Sequence, residues 1–323
     1  KREMRQEAKR LKADIRMLEQ QAIDSVVDNA DVVCATTTLD ESLLGDRRFD
    51  LVVIDEACQS TEPGSWMPVL RADRLVLAGD HCQLPPTVLS KQAAKEGLEV
   101  SLLERLVGLY GDRITRRLNV QYRMHDQIMN FSSAQFYDGA LQSHDSVSGH
   151  LLSDLDHVDE QFVTLEPVTF IDSAGAGWDE ELEPDGLSKR NLQEAELVLR
   201  KVAELQDAGL RGRDIGVIAP YAAQVRWLRQ NSPDERVEID TVDGFQGREK
   251  EAVIISMVRS NAEGEIGFLS DARRMNVALT RARRKLIVIG DSATVGGNEF
   301  FAAMLEYFES IGAYHTVWEE SGA

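Results

Sequence analysis

Asp55 and Glu56 stand directly after four apolar residues, Leu51 to Ile54. A carboxylate at the end of a buried strand can hold Mg²⁺ through water, and a second beside it can orient an attacking water. The same pair would also serve as an acidic cap opening the next helix. A second apolar run, Leu75 to Ala78, leads into Gly79-Asp80-His81-Cys82-Gln83-Leu84-Pro85-Pro86. Placed beside the first strand, Gln83 could sense a γ-phosphate, and the prolines stiffen the exit. Gln121-Tyr122-Arg123-Met124 offers a flat ring for an adenine, and an arginine of the kind that stabilises charge developing on a phosphoryl group. Asp240 to Lys250, Asp-Thr-Val-Asp-Gly-Phe-Gln-Gly-Arg-Glu-Lys, is a Gly-containing polar loop at a strand's entry. Such a loop can approach a nucleotide or phosphate backbone closely, and Glu249 could accept from a ribose hydroxyl. No G-x-x-x-x-G-K-[ST] loop occurs in the 323 residues, so the metal half of an ATP site is present without its phosphate half.

The last chemical string is Arg273 to Arg284. Read as a helix, it cannot place Arg273, Arg274, Asn276, Thr280, Arg281 and Arg284 on one face. Its alternatives are a basic helix with one arm available to a cleft and a surface helix bridged to acidic loops. The net charge of −19 argues against nucleic acid only superficially. Asp154 to Asp185 holds eleven Asp/Glu and no Lys/Arg, whereas Asp271 to Lys285 holds six basic residues and one acid.

The elements that must position these residues follow from periodicity. Residues 1–28 read as one long helix, with apolar positions from Met4 to Val26 at three- and four-residue steps. Its narrow apolar stripe calls for a partner helix, and its seven Lys/Arg before residue 17 could touch a phosphate backbone. Strands are expected at 32–35, 51–54, 75–78, 115–119, 168–171, 215–219, 237–240, 252–258 and 286–290. Helices are expected at 91–109, 124–137, 190–208, 221–230, 271–283 and 298–311. This alternation implies parallel sheets covered on both faces, with a domain boundary within about 115–145 in keeping with the length. No apolar run approaches the ~20 residues of a membrane span. Cys34, Cys58 and Cys82 lack C-x-x-C spacing, so reduced thiols rather than a metal site are expected.

Five strings in order, Asp55-Glu-Ala57, Gly79 to Leu84, Gln121 to Met124, Phe245-Gln-Gly-Arg-Glu249 and Asn276 to Arg283, resemble superfamily 1B helicases of the Upf-like group, and within it the immunoglobulin-mu-binding-protein type. The likeness covers nearly the whole chain. It implies an α/β fold of two RecA-like parallel-sheet domains, the first incomplete. A helical arm of an insertion at 1–28 would come first, then the C-terminal part of domain 1 at 29–115 and domain 2 at 116–323.

The resemblance also implies ATP with Mg²⁺, single-stranded DNA or RNA as partner, and 5′→3′ translocation. Carried over, Asp55 is the Mg²⁺ ligand, Glu56 the water-orienting base, Gln83 the γ-phosphate sensor, and Arg123 and Arg281 the arginine fingers. Tyr122 would face the adenine, and Gly247 with Glu249 would meet the nucleotide. Thr36 and Thr37 after strand 32–35, together with Pro220, Tyr221 and Thr241, would contact nucleic acid. In this family the phosphate loop precedes the helical insertion, so the chain reads as a fragment, inactive alone, whose second domain folds unaided. Intact, it would be a monomer without a membrane segment, cytoplasmic or, in a eukaryote, nuclear. The rival reading is a non-hydrolysing nucleic-acid or protein binding module derived from such a helicase.

Overall fold

The computed structural model describes residues 2–183, 186 and 188–320. Lys1, Pro184, Asp185, Leu187 and residues 321–323, counted above in the helical arm, acidic stretch and second domain, lie outside the described residues. The chain forms two compact units, one of Lys1–His81 and Pro85–Thr115, the other of Cys82–Leu84 and Arg116–Ala323.

In the first unit, helix α1 spans Arg2–Asp28. Its apolar stripe stays open, with Met4, Leu11, Ile15, Leu18 and Val26 all more than half exposed. Arg47 ties its last turn, pairing with Asp24 at 3.1 Å and Asp28 at 2.6 Å. Strands β1 (Val52–Ile54) and β2 (Leu75–Leu77) pair in parallel with Val53 opposite Val76. Helix α2 (Glu62–Val69) lies between them in sequence, and α3 (Leu102–Tyr110) follows.

Three expectations change here. Residues 32–35 are not a strand; Val32 and Cys34 are exposed, with no strand beside them to complete a ladder among the described residues. Neither β1 nor β2 is buried on both faces. Ile54 is buried, but its sequence neighbour Val53 is 59% exposed and Val76 47%, because packing reaches this two-stranded sheet from one side. The helix expected at 91–109 is interrupted at Gly97 and restarts with Ser101 capping α3 through Glu104 N–H.

The second unit holds a six-stranded parallel sheet. Helix α4 (Asp126–Phe136) precedes it, followed by β3 (Val168–Asp172), α5 (Leu192–Asp207), β4 (Ile215–Ala219), α6 (Ala222–Asn231), β5 (Glu238–Thr241) and β6 (Lys250–Ser256). Helix α7 (Ala272–Leu279), β7 (Ala282–Gly290), α8 (Glu299–Ser310) and β8 (Tyr314–Thr316) complete it. The strand order is β8-β3-β7-β6-β4-β5.

Alternate residues of each strand feed opposite layers, as pleating requires. Val253, Ile255, Leu286 and Val288 pack with Ile128, Val277 and Phe301 of α4, α7 and α8. Ile254, Ile287 and Ile289 pack with Leu197, Val202 and Leu228 of α5 and α6. Gly216 lies under Phe245, and a Cβ there would stand 2.8 Å from the ring's Cζ.

Two boundaries differ from expectation. The strand expected at 115–119 is instead the short pair Val120–Gln121 with Gln142–Ser143. Helix 271–283 stops at Leu279, and Ala282 already pairs with Lys250 in the sheet. Arg283 and Arg284 therefore lie on a strand, so the basic-helix reading fails for them.

Candidate functional site

All six strands run the same way, so the sheet has an amino edge and a carboxyl edge. Two strings named above cross from one to the other. Thr241 ends β5 at the carboxyl edge, and residues 242–249 bring Glu249 to the amino edge at the start of β6. Helix α7 runs back beside it, from Asp271 at the carboxyl edge to Thr280 and Arg281 at the amino edge.

At the amino edge three distant strings converge. The Arg123 guanidinium pairs with Glu249 through Nε and donates from Nη1 to Thr280 O at 3.1 Å. Arg281 donates from Nε to Val277 O at 3.0 Å and from Nη2 to Thr280 Oγ1 at 3.1 Å. A third bond runs from its Nη1 to Arg248 O at 3.4 Å. Gln121 holds the turn in shape, its Oε1 accepting from Arg123 N–H and Met124 N–H at 2.7 Å each. Tyr122 is exposed and stacks on His144, ring centroids 4.5 Å apart. Gly247 leaves open space beside its backbone; a Cβ there would meet nothing within 4 Å.

The two arginines differ in access. The Arg123 side chain is 34% exposed, whereas Arg281 is 3% exposed and folded against its own unit. The other basic residues of the string are bridged to acids. Arg283 and Arg284 hold Glu251 at 2.7 and 2.8 Å, and Arg273 holds Asp271 at 3.2 Å. The alternative of a surface helix bridged to acidic loops holds only in part: these arginines are bridged to acids, but Arg283, Arg284 and their partner Glu251 lie on strands.

At the carboxyl edge, Ala219 and Thr241 are register partners, so Pro220 and Thr241 leave the sheet side by side. Tyr221 is turned inward and buried, its hydroxyl accepting from Arg259 Nη1 at 3.1 Å and Phe268 N–H at 3.3 Å. A ring placed this way does not lie open to a flat ligand. Val258 carries a left-handed backbone, φ 70°, uncommon for a β-branched residue. Its N–H donates to Glu194 Oε1 at 2.9 Å, and Ser256 Oγ–H donates to the same oxygen at 2.6 Å. Glu194 is fully buried, and desolvation pushes its carboxyl up to about 7. Sequence reasoning did not single out Glu194, Val258, Arg259 or Phe268. Only the aromatic that follows Gly267, between Ile266 and Leu269, was a usable signal.

In the first unit, Asp55 and Glu56 are exposed at the end of β1. Asp55 Oδ1 accepts from Glu56 N–H at 3.0 Å, and Glu56 Oε2 accepts from Gln59 Nε2 at 2.8 Å. Glu56 has φ 50° and ψ 39°. A left-handed non-glycine residue costs about 1–3 kcal/mol and is typical of sites where a side chain must be aimed. Gln83 packs with the second unit, while Asp55 and Glu56 belong to the first. Thr36 and Thr37 enter a turn rather than ending a strand, with Thr36 and Thr38 hydroxyls 3.1 Å apart.

A family model described as an AAA domain matches residues 98–293, and a second with the same description matches residues 1–91. The chain belongs to the AAA-domain family of superfamily 1B, Upf-like helicases. Within this family it is 47% identical over 322 residues to DNA-binding protein SMUBP-2 of Mesocricetus auratus, covering 98% of this chain and 33% of that protein. It is 41% identical over 318 residues to DNA polymerase alpha-associated DNA helicase A of Schizosaccharomyces pombe, covering 96% and 47% of the two chains. It is 41% identical over 315 residues to the regulator of nonsense transcripts 1 homolog of Neurospora crassa, covering 94% and 28%. The chain thus spans about a third of the length of the first of these relatives.

Proposed function

We propose that this chain is part of the motor of an ATP-dependent 5′→3′ helicase acting on single-stranded DNA or RNA. The observation that carries the reading is the amino-edge cluster. Arg123, Glu249 and Arg281 come from three strings, the first separated from the others by more than a hundred residues, and share Thr280 and Arg248 as neighbours. Guanidinium groups held by neutral carbonyls and one carboxylate, next to open backbone at Gly247, suit a polyanionic nucleotide.

ATP with Mg²⁺ would supply the phosphoryl group whose transfer releases free energy. Asp55, exposed and held by one backbone N–H, fits a water-mediated Mg²⁺ contact. Glu56 is the carboxylate that would take a proton from the attacking water, its orientation set by Gln59 and by its left-handed backbone. Arg123 would leave Glu249 for a phosphate oxygen. Arg281 must turn out of its buried position, so its role requires a rearrangement of the Thr280 turn. Pro220 and Thr241 would meet the nucleic acid at the carboxyl edge.

The test is steady-state ATP hydrolysis by the full-length protein, with poly-U and with poly-dT. Stimulation by at least one polymer is expected; if neither stimulates, the helicase reading fails. Faster unwinding of a duplex with a 5′ tail than of one with a 3′ tail checks the direction.

A further inference from the structure

The segment from Asn261 to Asp271 leaves β6 at the carboxyl edge and presents Phe268, which is 58% exposed. This ring is not on a loose loop. Tyr221 lies beneath it, ring centroids 5.3 Å apart, and the Tyr221 hydroxyl accepts from Phe268 N–H. Gly267, φ 54°, lets the backbone pass where any Cβ would overlap Arg259 Nη1 and the Tyr221 oxygen. Arg259 is buried, and its Nε lies 2.7 Å from Glu180 Oε2, itself a buried carboxylate. Asn261 clasps the segment's base, donating to Glu265 O and accepting from Glu265 N–H, both at 2.9 Å. A buried ion pair, a tyrosine hydroxyl and a glycine thus fix one outward aromatic ring. Such rigid support costs the unfolded chain entropy and leaves apolar surface wet, a combination that suits a stacking platform.

Arg274 stands beside the ring, its Cζ 5.9 Å from the Phe268 centroid. Asp243 and Asp271 each lie 3.9 Å from the Arg274 guanidinium, so its charge is shared and its reach to a phosphate is modest. Asp243 also ties this patch to the loop that begins at Thr241. The larger share of any affinity here must therefore come from the flat face of the ring.

We propose that Phe268 stacks on a base of single-stranded nucleic acid, with Arg274 touching the adjoining phosphate. The inference rests on the helicase reading and adds to its Pro220 and Thr241 contacts a base-contacting residue at the same edge. Stacking on an aromatic side chain is independent of base identity, because every base has a π-face.

The experiment is fluorescence anisotropy with labelled oligo-dT and oligo-U on the full-length protein without nucleotide. Phe268→Ala and Phe268→Leu should each weaken binding about tenfold, within the range for loss of one stacked base, and Phe268→Tyr should restore it. The salt slope should be unchanged in Phe268→Ala and smaller by about 1 in Arg274→Ala. In Phe268→Trp, oligo-dT should quench emission beyond the change seen in the wild type, whereas heparin, a polyanion without bases, should not. Binding of Phe268→Ala within twofold of wild type, or no added quenching at saturating oligo-dT, overturns the proposal and leaves the helicase reading standing. Failure of the wild type itself to bind either oligonucleotide overturns both.

Discussion

At the amino edge of the second unit's sheet, Arg123 is met by Glu249 and a carbonyl, and Arg281 by carbonyls and a hydroxyl, around an open backbone at Gly247. At the carboxyl edge the comparable arginine, Arg259, is locked to Glu180, and the exposed group is the ring of Phe268. One edge presents Arg123 in a shallow, exchangeable contact and keeps Arg281 buried; the other hides its cation to hold a flat surface in place. The first arrangement suits a ligand that brings negative charge and leaves again. The second suits one gripped by shape with little dependence on charge. Under the proposed function, the same α/β scaffold would separate chemistry from grip by the length of a strand.

The largest expected effect tests that separation directly. Arg123→Ala in the full-length protein should lower nucleic-acid-stimulated ATP hydrolysis by about 10³-fold or more, the scale of an arginine finger. Oligo-dT affinity should stay within about twofold. Arg281→Ala should do the same, with a thermal melt as control because its guanidinium is buried. Equal losses of hydrolysis and binding in Arg123→Ala would erase the distinction between the edges.

Two buried ionisable groups, one towards each edge, come next. Lys285 is fully buried near the start of β7, its Nζ donating to Glu166 O at 2.7 Å, and desolvation brings it down from 10.5 to about 7. A depressed pKa means the unfolded chain binds the extra proton between about 7 and 10.5, so this group's stability contribution is present above 10.5 and lost as pH falls through about 7. Glu194 has the opposite sign. Its carboxyl is raised from 4.5 to about 7, so its contribution is present below 4.5 and lost as pH rises through about 7. At 1.36 kcal/mol per unit the full swings are roughly 5 kcal/mol for Lys285 and roughly 3 for Glu194. Urea unfolding across pH should show Lys285→Met removing a rise in stability from about 7 to 10.5, and Glu194→Gln removing a fall from 4.5 to about 7. An unchanged pH profile in both variants would mean that neither group titrates with folding. The smallest effect belongs to a surface pair beside the amino edge. Arg248→Ala, which removes the contact with Glu238, should shift stability by no more than about 0.5 kcal/mol in the same assay.

The strands of the second unit were legible because their apolar runs are long and doubly covered. Residues 168–171, 215–219 and 286–290 all fall inside observed strands. The end of α7 was not legible, since Val277-Ala278-Leu279-Thr280 keeps a helical pattern up to the point where pairing with Lys250 takes over. Residues 32–35 have strand composition but no neighbouring strand, and composition alone cannot supply one. For the site, residue types and order pointed to Arg123, Glu249 and Arg281, but their convergence on Thr280 depends on which strands are adjacent. The support beneath Phe268 was invisible for a related reason. Glu180, Tyr221, Arg259 and Gly267 are scattered over nearly ninety residues, and their contacts exist only once the carboxyl edge is assembled.

Phe245 sits at the middle of the string that crosses from Thr241 to Glu249, its ring over Gly216 where a Cβ would stand 2.8 Å away. That string is therefore pinned at its midpoint, like a beam resting on a fulcrum. A single methyl group added by Gly216→Ala would touch no ligand, meeting the Phe245 ring and the Lys250 side chain, yet it would lift the pin. Beyond an overpacking cost of about 1–3 kcal/mol, it should impair hydrolysis and oligonucleotide binding together, the one pattern that a lesion confined to either end of the beam cannot produce.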